Sequence, residues 1–223
     1  MTKVLIIRYK LSKNIMEGGE QASEKNLRVI NSIVGKDNVN TIYIHDESKK
    51  RSAFDYIKGI WYFFQNYFFG LSPKRVEQIA REAQPYDIVF VDRSLFGIIA
   101  KKLKDSGYQG KVVSFFHNVE KVYFSAKCRW YQPWRPLVMH CADVNDNYAC
   151  KYSDSIITLN KRDSNVLKRL YGREADAIAP IAFKDIYSNP SDEVLNQMTS
   201  NEPTLLFLGA YFTANVDGLK WFV

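Results

Sequence analysis

The sequence predicts an α/β protein: a Rossmann-like, doubly wound parallel sheet with helices on both faces. Three observations support this fold class. Short, uniformly apolar runs recur along the chain, they alternate with segments of helical periodicity, and Gly or Pro residues separate the two kinds of segment. Strands buried on both faces of a parallel sheet lose the polar–apolar alternation of half-exposed strands and become continuous apolar runs.

The first domain contains six predicted strands. They are residues 4–7, 40–44, 87–91, 111–116, 155–159 and 176–179. Helices are predicted where apolar side chains recur every three or four residues. These are residues 20–34, 52–69, 73–83, 95–105 and 162–171. Ser94 is expected to cap one helix and Gly172 to end another. Helices are also predicted within residues 119–150, and Pro133 and Pro136 are expected to interrupt them.

The composition changes after residue 184. Residues 185–203 contain two prolines and several Ser, Asn and Asp residues, which is typical of a linker, with a short helix predicted at 191–198. Residues 204–208 then form another apolar run, and a helix is predicted from 216 to 223. We therefore expect a Rossmann-like domain over 1–184, a linker over 185–203, and the start of a truncated second domain over 204–223.

Charge and cysteine content narrow the class of partner. The chain of 223 residues has a formal charge of +7 and a pI of about 9.2, which favours anionic partners such as nucleotide sugars or lipid headgroups. It has no long Lys/Arg block and no nucleic-acid motif, so we expect no nucleic-acid partner. Cys128, Cys141 and Cys150 lack the spacing of a disulfide framework or a zinc site. No signal sequence or apolar span is recognisable, and we expect a cytoplasmic protein.

Polar residues follow the fourth predicted strand. His117, Asn118 and Glu120 come directly after an apolar run. In open α/β sheets, ligands bind in the crevice at the carboxyl ends of the strands. An imidazole exchanges protons near neutral pH, and an amide both donates to and accepts from sugar hydroxyls. The competing interpretation is that His117 only packs against, or caps, the strand end.

Two further segments belong to the same edge of the predicted sheet. Gly18 and Gly19 open a helix, where free backbone N–H groups suit a phosphate or sugar oxygen, although a plain turn is an equal alternative. The segment is not G-x-G-x-x-G, which disfavours a dinucleotide cofactor. Arg93 follows the third strand and could bind an anion in two-point fashion. Its neighbours Asp92 and Ser94 are expected to cap the next helix. The residues after strand five have a similar placement, and helix capping is again the alternative to binding for Asn160, Lys161 and Asp163.

Aromatic residues concentrate in two segments with flanking basic residues. Residues 54–69 and residues 123–136 are rich in Phe, Tyr and Trp. Rings beside cationic side chains suit a membrane interface or a lipid-linked substrate. The alternative is that each segment fills a core or, for 123–136, forms an acceptor wall. Neither has metal-ligand spacing or a nucleophile elbow, so we expect no metal site.

The order of these motifs resembles one enzyme family. The chain is similar to the first domain of the retaining glycosyltransferases of family four, which have the GT-B fold, together with the start of their donor domain. The resemblance spans nearly the whole chain. Four segments carry it: Gly18–Gly19, His117-Asn118-x-Glu120, residues 153–159 with Asp163, and residues 206–209 followed by 215–222.

The resemblance implies a transferase that moves a sugar from a nucleotide donor to a glycan or lipid-linked acceptor during surface polysaccharide assembly. It implies no cofactor, no metal and a site at the cytoplasmic face of the membrane. Gly18 and Gly19 would lie near the donor phosphates and His117 near the donor sugar, with Asn118 and Glu120 beside them. The family's donor-binding basic residues and paired glutamates belong to its second domain, so the chain alone is expected to be inactive. A non-catalytic binding module, or an epimerase or phosphorylase on the same plan, remains open.

Overall fold

The computed structural model describes residues 1–10, 18–44, 53–181, 205, 207 and 213–222, with the side chains of 53–57 and 213–214 left out. The predicted helix at 191–198 and most of the predicted strand at 204–208 lie outside the described residues. The chain divides into two units, Met1–Pro180 and Ile181–Val223. The boundaries predicted for linker and second domain remain predictions.

Strands and helices alternate along the first unit. The strands are β1 (Val4–Arg8), β2 (Val39–Tyr43), β3 (Ile88–Val91), β4 (Lys111–Phe116), β5 (Ser155–Thr158) and β6 (Ala177–Ile178). The helices are α1 (Gly18–Val34), α2 (Ala53–Phe64), α3 (Pro73–Glu82), α4 (Gly97–Asp105), α5 (Glu120–Lys127), α6 (Arg135–Tyr152) and α7 (Lys161–Tyr171). In the second unit, α8 (Thr213–Phe222) is described.

The described strands form one all-parallel sheet, which confirms the predicted fold class. The strand order is β2-β1-β3-β4-β5-β6, and every neighbouring pair is parallel. From β1 the chain runs to one side of the sheet, and from β3 it runs to the other. The gap between the carboxyl ends of β1 and β3 is therefore the topological switch point, where ligands bind in this class of sheet.

The central strands supply apolar side chains to both faces of the sheet. In β1, Leu5 and Ile7 pack with α3, α4 and α6, whereas Val4 and Ile6 pack with α1 on the opposite face. All four are almost completely buried. This two-sided burial explains why the strands lack polar–apolar alternation and could be located from the sequence.

The helix ends follow local signals in some places and not in others. Asn160 caps α7 by accepting the Asp163 N–H at 2.8 Å, and Gly172 ends it with a positive φ of 75°, as expected. Ser94 makes no capping hydrogen bond to the short 3₁₀ turn Ser94–Phe96 or to α4, so that prediction is wrong. Pro136 lies in the first turn of α6 and does not break it, because a proline there removes no helical hydrogen bond.

Helices α4 and α6 touch backbone to backbone. A Cβ added at Gly97 would lie 1.9 Å from the carbonyl oxygen of Asn145. The Asn145 amide accepts the Ile98 N–H at 2.9 Å and donates to the carbonyls of Asn66 and Cys141, each at 2.9 Å. One buried amide thus ties α4, α6 and the segment after α2 together.

Candidate functional site at the carboxyl edge of the sheet

The structure brings most of the predicted site residues to one edge of the sheet. Parallel strands end on the same side, so the segments that follow β3 and β4 begin there with Arg93 and with His117 to Glu120. Gly18 and Gly19 form the first residues of α1, after the segment that follows β1. Gly18 is exposed, whereas Gly19, Arg93 and Asn118 are half-buried.

Asp92 is the centre of a buried hydrogen-bond network at this edge. Its carboxylate accepts hydrogen bonds from the Ser23 hydroxyl, from the Asn26 amide at 2.9 Å, and from the His117 Nε2 at 3.4 Å. Burial by itself would raise the pKa of Asp92. The hydrogen bond and charge of His117, together with the hydrogen bonds from Ser23 and Asn26, outweigh burial and lower this pKa. Asp92 therefore anchors α1 to the sheet, and its expected role as a helix cap is wrong.

His117 is enclosed, with its two ring nitrogens in different surroundings. The residue is 3% exposed, and its ring meets the Phe115 ring edge-on at 5.0 Å. Nε2 faces Asp92, whereas Nδ1 has no hydrogen-bond partner in the described part of the chain. With Asp92 at Nε2, the ring is held in one orientation, and Nδ1 is left for another group.

Nδ1 of His117 points towards the start of α1. A Cβ built on Gly19 would lie 4.0 Å from that nitrogen and 3.2 Å from Nη2 of Arg93. The helix N-terminus, the guanidinium and the imidazole therefore lie close together, and a side chain at Gly19 would crowd the guanidinium by a few tenths of an ångström. The Arg93 guanidinium also lies over the Tyr9 ring, 5.5 Å from its centroid. Backbone N–H groups, an arginine and an imidazole around one point form an environment for an anion.

Arg8 was missed by the sequence analysis. It ends β1 and is 1% exposed, and its Nη2 lies 3.6 Å from a carboxylate oxygen of Glu24. Its Nε and Nη2 have no hydrogen-bond partner among the described residues. A buried guanidinium with spare donors at the switch point adds positive charge to the same region. The available signal was a charged residue directly after the apolar run of the first strand.

Glu120 turns into the protein and does not reach solvent. It is 2% exposed, and burial raises its pKa to about 7 against the opposing charges of Arg93 and Lys127. Asp146 of α6 is completely buried beside it; burial and then the Glu120 charge raise the pKa of Asp146 well above its ordinary value. Asp146 accepts the Lys121 N–H at 3.0 Å. Nothing in the sequence around Asp146 indicated this pairing.

Other features of the described residues do not compete with this edge. No three His, Cys, Asp or Glu side chains among them are grouped as metal ligands would be. No described helix is long and apolar enough to cross a bilayer. A separate pocket lies among α3, α4 and α6, with Tyr67, Val76 and Lys101 in its wall, and it contains none of the predicted site residues.

Comparison with known proteins gives similarities of fold alone. No family model and no curated protein matches the chain. The azoreductase from Bacillus anthracis str. Sterne aligns with a TM-score of 0.38 and 12% identity, over 77% of this chain and 92% of the azoreductase. UGT89C1 from Arabidopsis thaliana, complexed with UDP, aligns with a TM-score of 0.42 and 13% identity, over 88% of this chain. The chain spans 56% of the length of the plant protein.

Proposed function

We propose that this chain is the acceptor-side domain of a glycosyltransferase that moves a sugar from a nucleotide donor to a glycan or lipid-linked acceptor in surface polysaccharide assembly. The observation that carries the proposal is the convergence of Gly19, Arg93 and Nδ1 of His117, which has no partner among the described residues, at the switch point of the sheet. The order of motifs along the sequence supports the same class of enzyme.

The diphosphate of a nucleotide sugar matches the chemistry of this edge. Helix α1 has 17 residues, so its N-terminal end carries the positive end of the helix dipole. Arg93 adds a planar pair of donors that suits phosphate oxygens. Arg8, at the end of β1, contributes a second positive charge, although Glu24 lies 3.6 Å from its Nη2. The site is therefore built for a negatively charged group and not for a neutral sugar alone.

The remaining residues position the ligand. Asn118, which is half-buried, is available to a sugar hydroxyl, and His117 supplies a polar contact through Nδ1. Asp92 fixes the imidazole and is not a ligand itself. Glu120 begins α5 and is buried beside Asp146, so we propose that it stabilises the structure around the site and does not contact the ligand. Charge that develops on the departing diphosphate would be stabilised electrostatically, without a covalent intermediate at this edge.

The test is the affinity of the chain for UDP-, GDP- and TDP-sugars, measured by titration calorimetry. We expect one of the three to bind, and Arg93→Ala to weaken it by about 2 kcal/mol, or about thirtyfold, because a charged hydrogen-bond donor is lost. Arg81→Ala is the matched control, since Arg81 has a 70% exposed side chain on α3, away from the edge. Equal affinity of the Arg93 variant and the control would refute the proposed site.

A non-catalytic binding module is the second candidate, and the burial of His117 favours it. At 3% exposure the imidazole is poorly placed to exchange protons with a ligand, whereas the half-buried Arg93 and Asn118 can still contact one. Nucleotide release by the full-length parent protein separates the two candidates, because the chain alone is expected to be inactive: a transferase releases nucleotide when an acceptor is present, whereas a binding module releases none. An epimerase would instead convert the donor sugar without transferring it to the acceptor, and a phosphorylase would split a glycosidic bond with inorganic phosphate and consume no nucleotide sugar.

A further inference from the structure

One face of α2 carries exposed aromatic and apolar side chains. Ile60, Trp61 and Phe64 are 58%, 64% and 61% exposed. They are three or four residues apart or adjacent, and so share one side of the helix. Phe63 is only 4% exposed and belongs to the main core. The helix thus packs through one side and exposes a wide apolar side to water. Single exposed apolar side chains are common on protein surfaces, whereas a group of them indicates a binding surface.

The segment after α2 holds a further ring in an exposed position. Asn66 has a positive φ of 66°, and Gly70 has a φ of 86°. A Cβ at Gly70 would lie 2.9 Å from the Ile44 carbonyl oxygen, so the turn packs tightly against the end of β2. The Tyr9 hydroxyl donates to the Phe69 carbonyl at 3.3 Å, which ties the turn to the residue after β1. Phe69 is nevertheless 56% exposed, beside the carboxyl edge.

A second group of exposed rings lies between α5 and α6. Trp130, Tyr131 and Trp134 are 86%, 63% and 55% exposed. The turn after α2 packs against α5, because the rings of Phe68 and Phe124 lie 5.8 Å apart. We call Ile60, Trp61, Phe64 and Phe69 the α2 cluster, and Trp130, Tyr131 and Trp134 the α5–α6 cluster.

The segments that carry the two clusters are basic, with acidic residues only at their borders, at Asp55, Glu77, Glu120 and Asp143. Residues 58–76 contain three Lys or Arg residues and no Asp or Glu, and residues 121–142 contain four and none, although the whole chain has 24 acidic residues. Lys58, Lys127 and Arg129 are exposed beside the rings. Tryptophan and tyrosine favour the boundary between lipid headgroups and acyl chains, and neighbouring cations are attracted to anionic headgroups.

We propose that the α2 and α5–α6 clusters together dock the protein on an anionic membrane surface, as a peripheral and not a spanning contact. The rings enter the headgroup region, and Lys58, Lys127 and Arg129 lie against lipid phosphates and carboxylates. A protein partner of matching shape would need acidic side chains opposite these cations, whereas an anionic bilayer presents negatively charged headgroups over its whole surface. The inference does not depend on sugar transfer, because it concerns a surface and not the Gly19–Arg93–His117 site.

Sedimentation with vesicles tests the proposal. The protein is mixed with phosphatidylcholine vesicles that contain or lack phosphatidylserine. We expect binding to the anionic vesicles only, with affinity falling as salt increases. Trp61→Ala combined with Phe64→Ala should reduce the partition coefficient about tenfold or more, because both rings lose their apolar burial. Arg129→Gln should reduce it about fivefold, the effect of one cation near an anionic surface.

The controls are matched to each change. Ile33→Ala removes an apolar side chain that is 75% exposed on α1, and Lys36→Gln removes an exposed cation after that helix; both should bind as the wild type does. Thermal melts confirm that each variant folds. Failure of the wild type to bind anionic vesicles, or equal binding by the cluster variants and the controls, overturns the proposal. So does a stable dimer that the Trp61 and Phe64 changes dissociate, since a second copy would then cover the clusters.

Discussion

Glu120 and Asp146 are two enclosed carboxyl groups that make the stability of the protein depend on pH. The free Oε1 of Glu120 and Oδ1 of Asp146 have no hydrogen-bond partner in the described part of the chain. With its pKa raised to about 7, Glu120 keeps its proton at pH values where an exposed glutamate is ionised. A neutral Glu120 avoids a second buried negative charge next to Asp146.

The direction of the pH effect follows from proton linkage. Between its ordinary pKa of 4.5 and about 7, Glu120 is protonated in the folded protein and ionised in the unfolded chain. The free energy of unfolding therefore decreases as pH rises through this window, by at most about 1.4 kcal/mol per pH unit. We predict that Glu120→Gln makes this slope shallower, because glutamine does not titrate. Urea unfolding at a series of pH values measures it.

Glu174→Gln is the control for this prediction. Glu174 is exposed, and the hydrogen bond and charge of Lys168 lower its pKa. Glu174 therefore affects the slope only at pH values below about 4.5. Its variant should keep the wild-type slope between pH 4.5 and 7. An unchanged slope in the Glu120 variant would show that this carboxyl group titrates at its ordinary pKa.

Asp92 shows why single residues at the site were assigned incompletely from sequence. A carboxylate one or two residues before a helix is a frequent cap, and the local pattern around Asp92 fits that role. Its actual partners, Ser23, Asn26 and His117, lie between 25 and 69 residues away and meet only because β1, β3 and β4 end together. The position of His117 at the end of β4 followed from the pattern, and its burial against Phe115 agrees with the competing interpretation that it packs at the strand end.

At the scale of elements, the contact between α4 and α6 is tight enough to require glycine. Gly97→Ala would place a Cβ 1.9 Å from the Asn145 carbonyl oxygen and 2.8 Å from the Ala149 nitrogen, so the helices must separate. We predict a loss of about 3 kcal/mol in the free energy of unfolding, the upper part of the range for overpacked cores. Chemical denaturation at one pH measures it.

Gly59 in α2 provides the opposite case. A Cβ there meets none of the described atoms within 4 Å, so Gly59→Ala should stabilise the protein by about 0.5–1 kcal/mol through higher helix propensity. If both alanine variants were equally stable, the close approach of α4 and α6 would be wrong.

Element positions were predicted well where burial alone determined them and less well near turns. β4 matches its prediction, and the other described strands differ by one or two residues. Helix 52–69 was predicted too long: α2 ends at Phe64, and the left-handed Asn66 and Gly70 then reverse the chain. Aromatic residues continue through that turn, so hydrophobic periodicity gave no sign of the helix end.

At the scale of the molecule, the sheet order explains how distant motifs become one site. The order β2-β1-β3-β4-β5-β6 places the ends of β1 and β3 side by side. Repeated apolar runs predict a parallel sheet, but they do not predict strand order, because order depends on how each crossover packs across the faces. The sequence therefore indicated an edge with polar residues, and the structure places Arg8 and Arg93 together with the start of α1 at it.

The most direct test of this account is an NMR titration of the isotope-labelled chain with each of the UDP-, GDP- and TDP-sugars in turn. The account predicts saturable changes in the amide signals of Gly18, Gly19, Arg93 and Asn118 with one of them, and no comparable changes in α3 or α7. Saturable changes confined to another part of the protein, or no changes with any of the three donors, would contradict it.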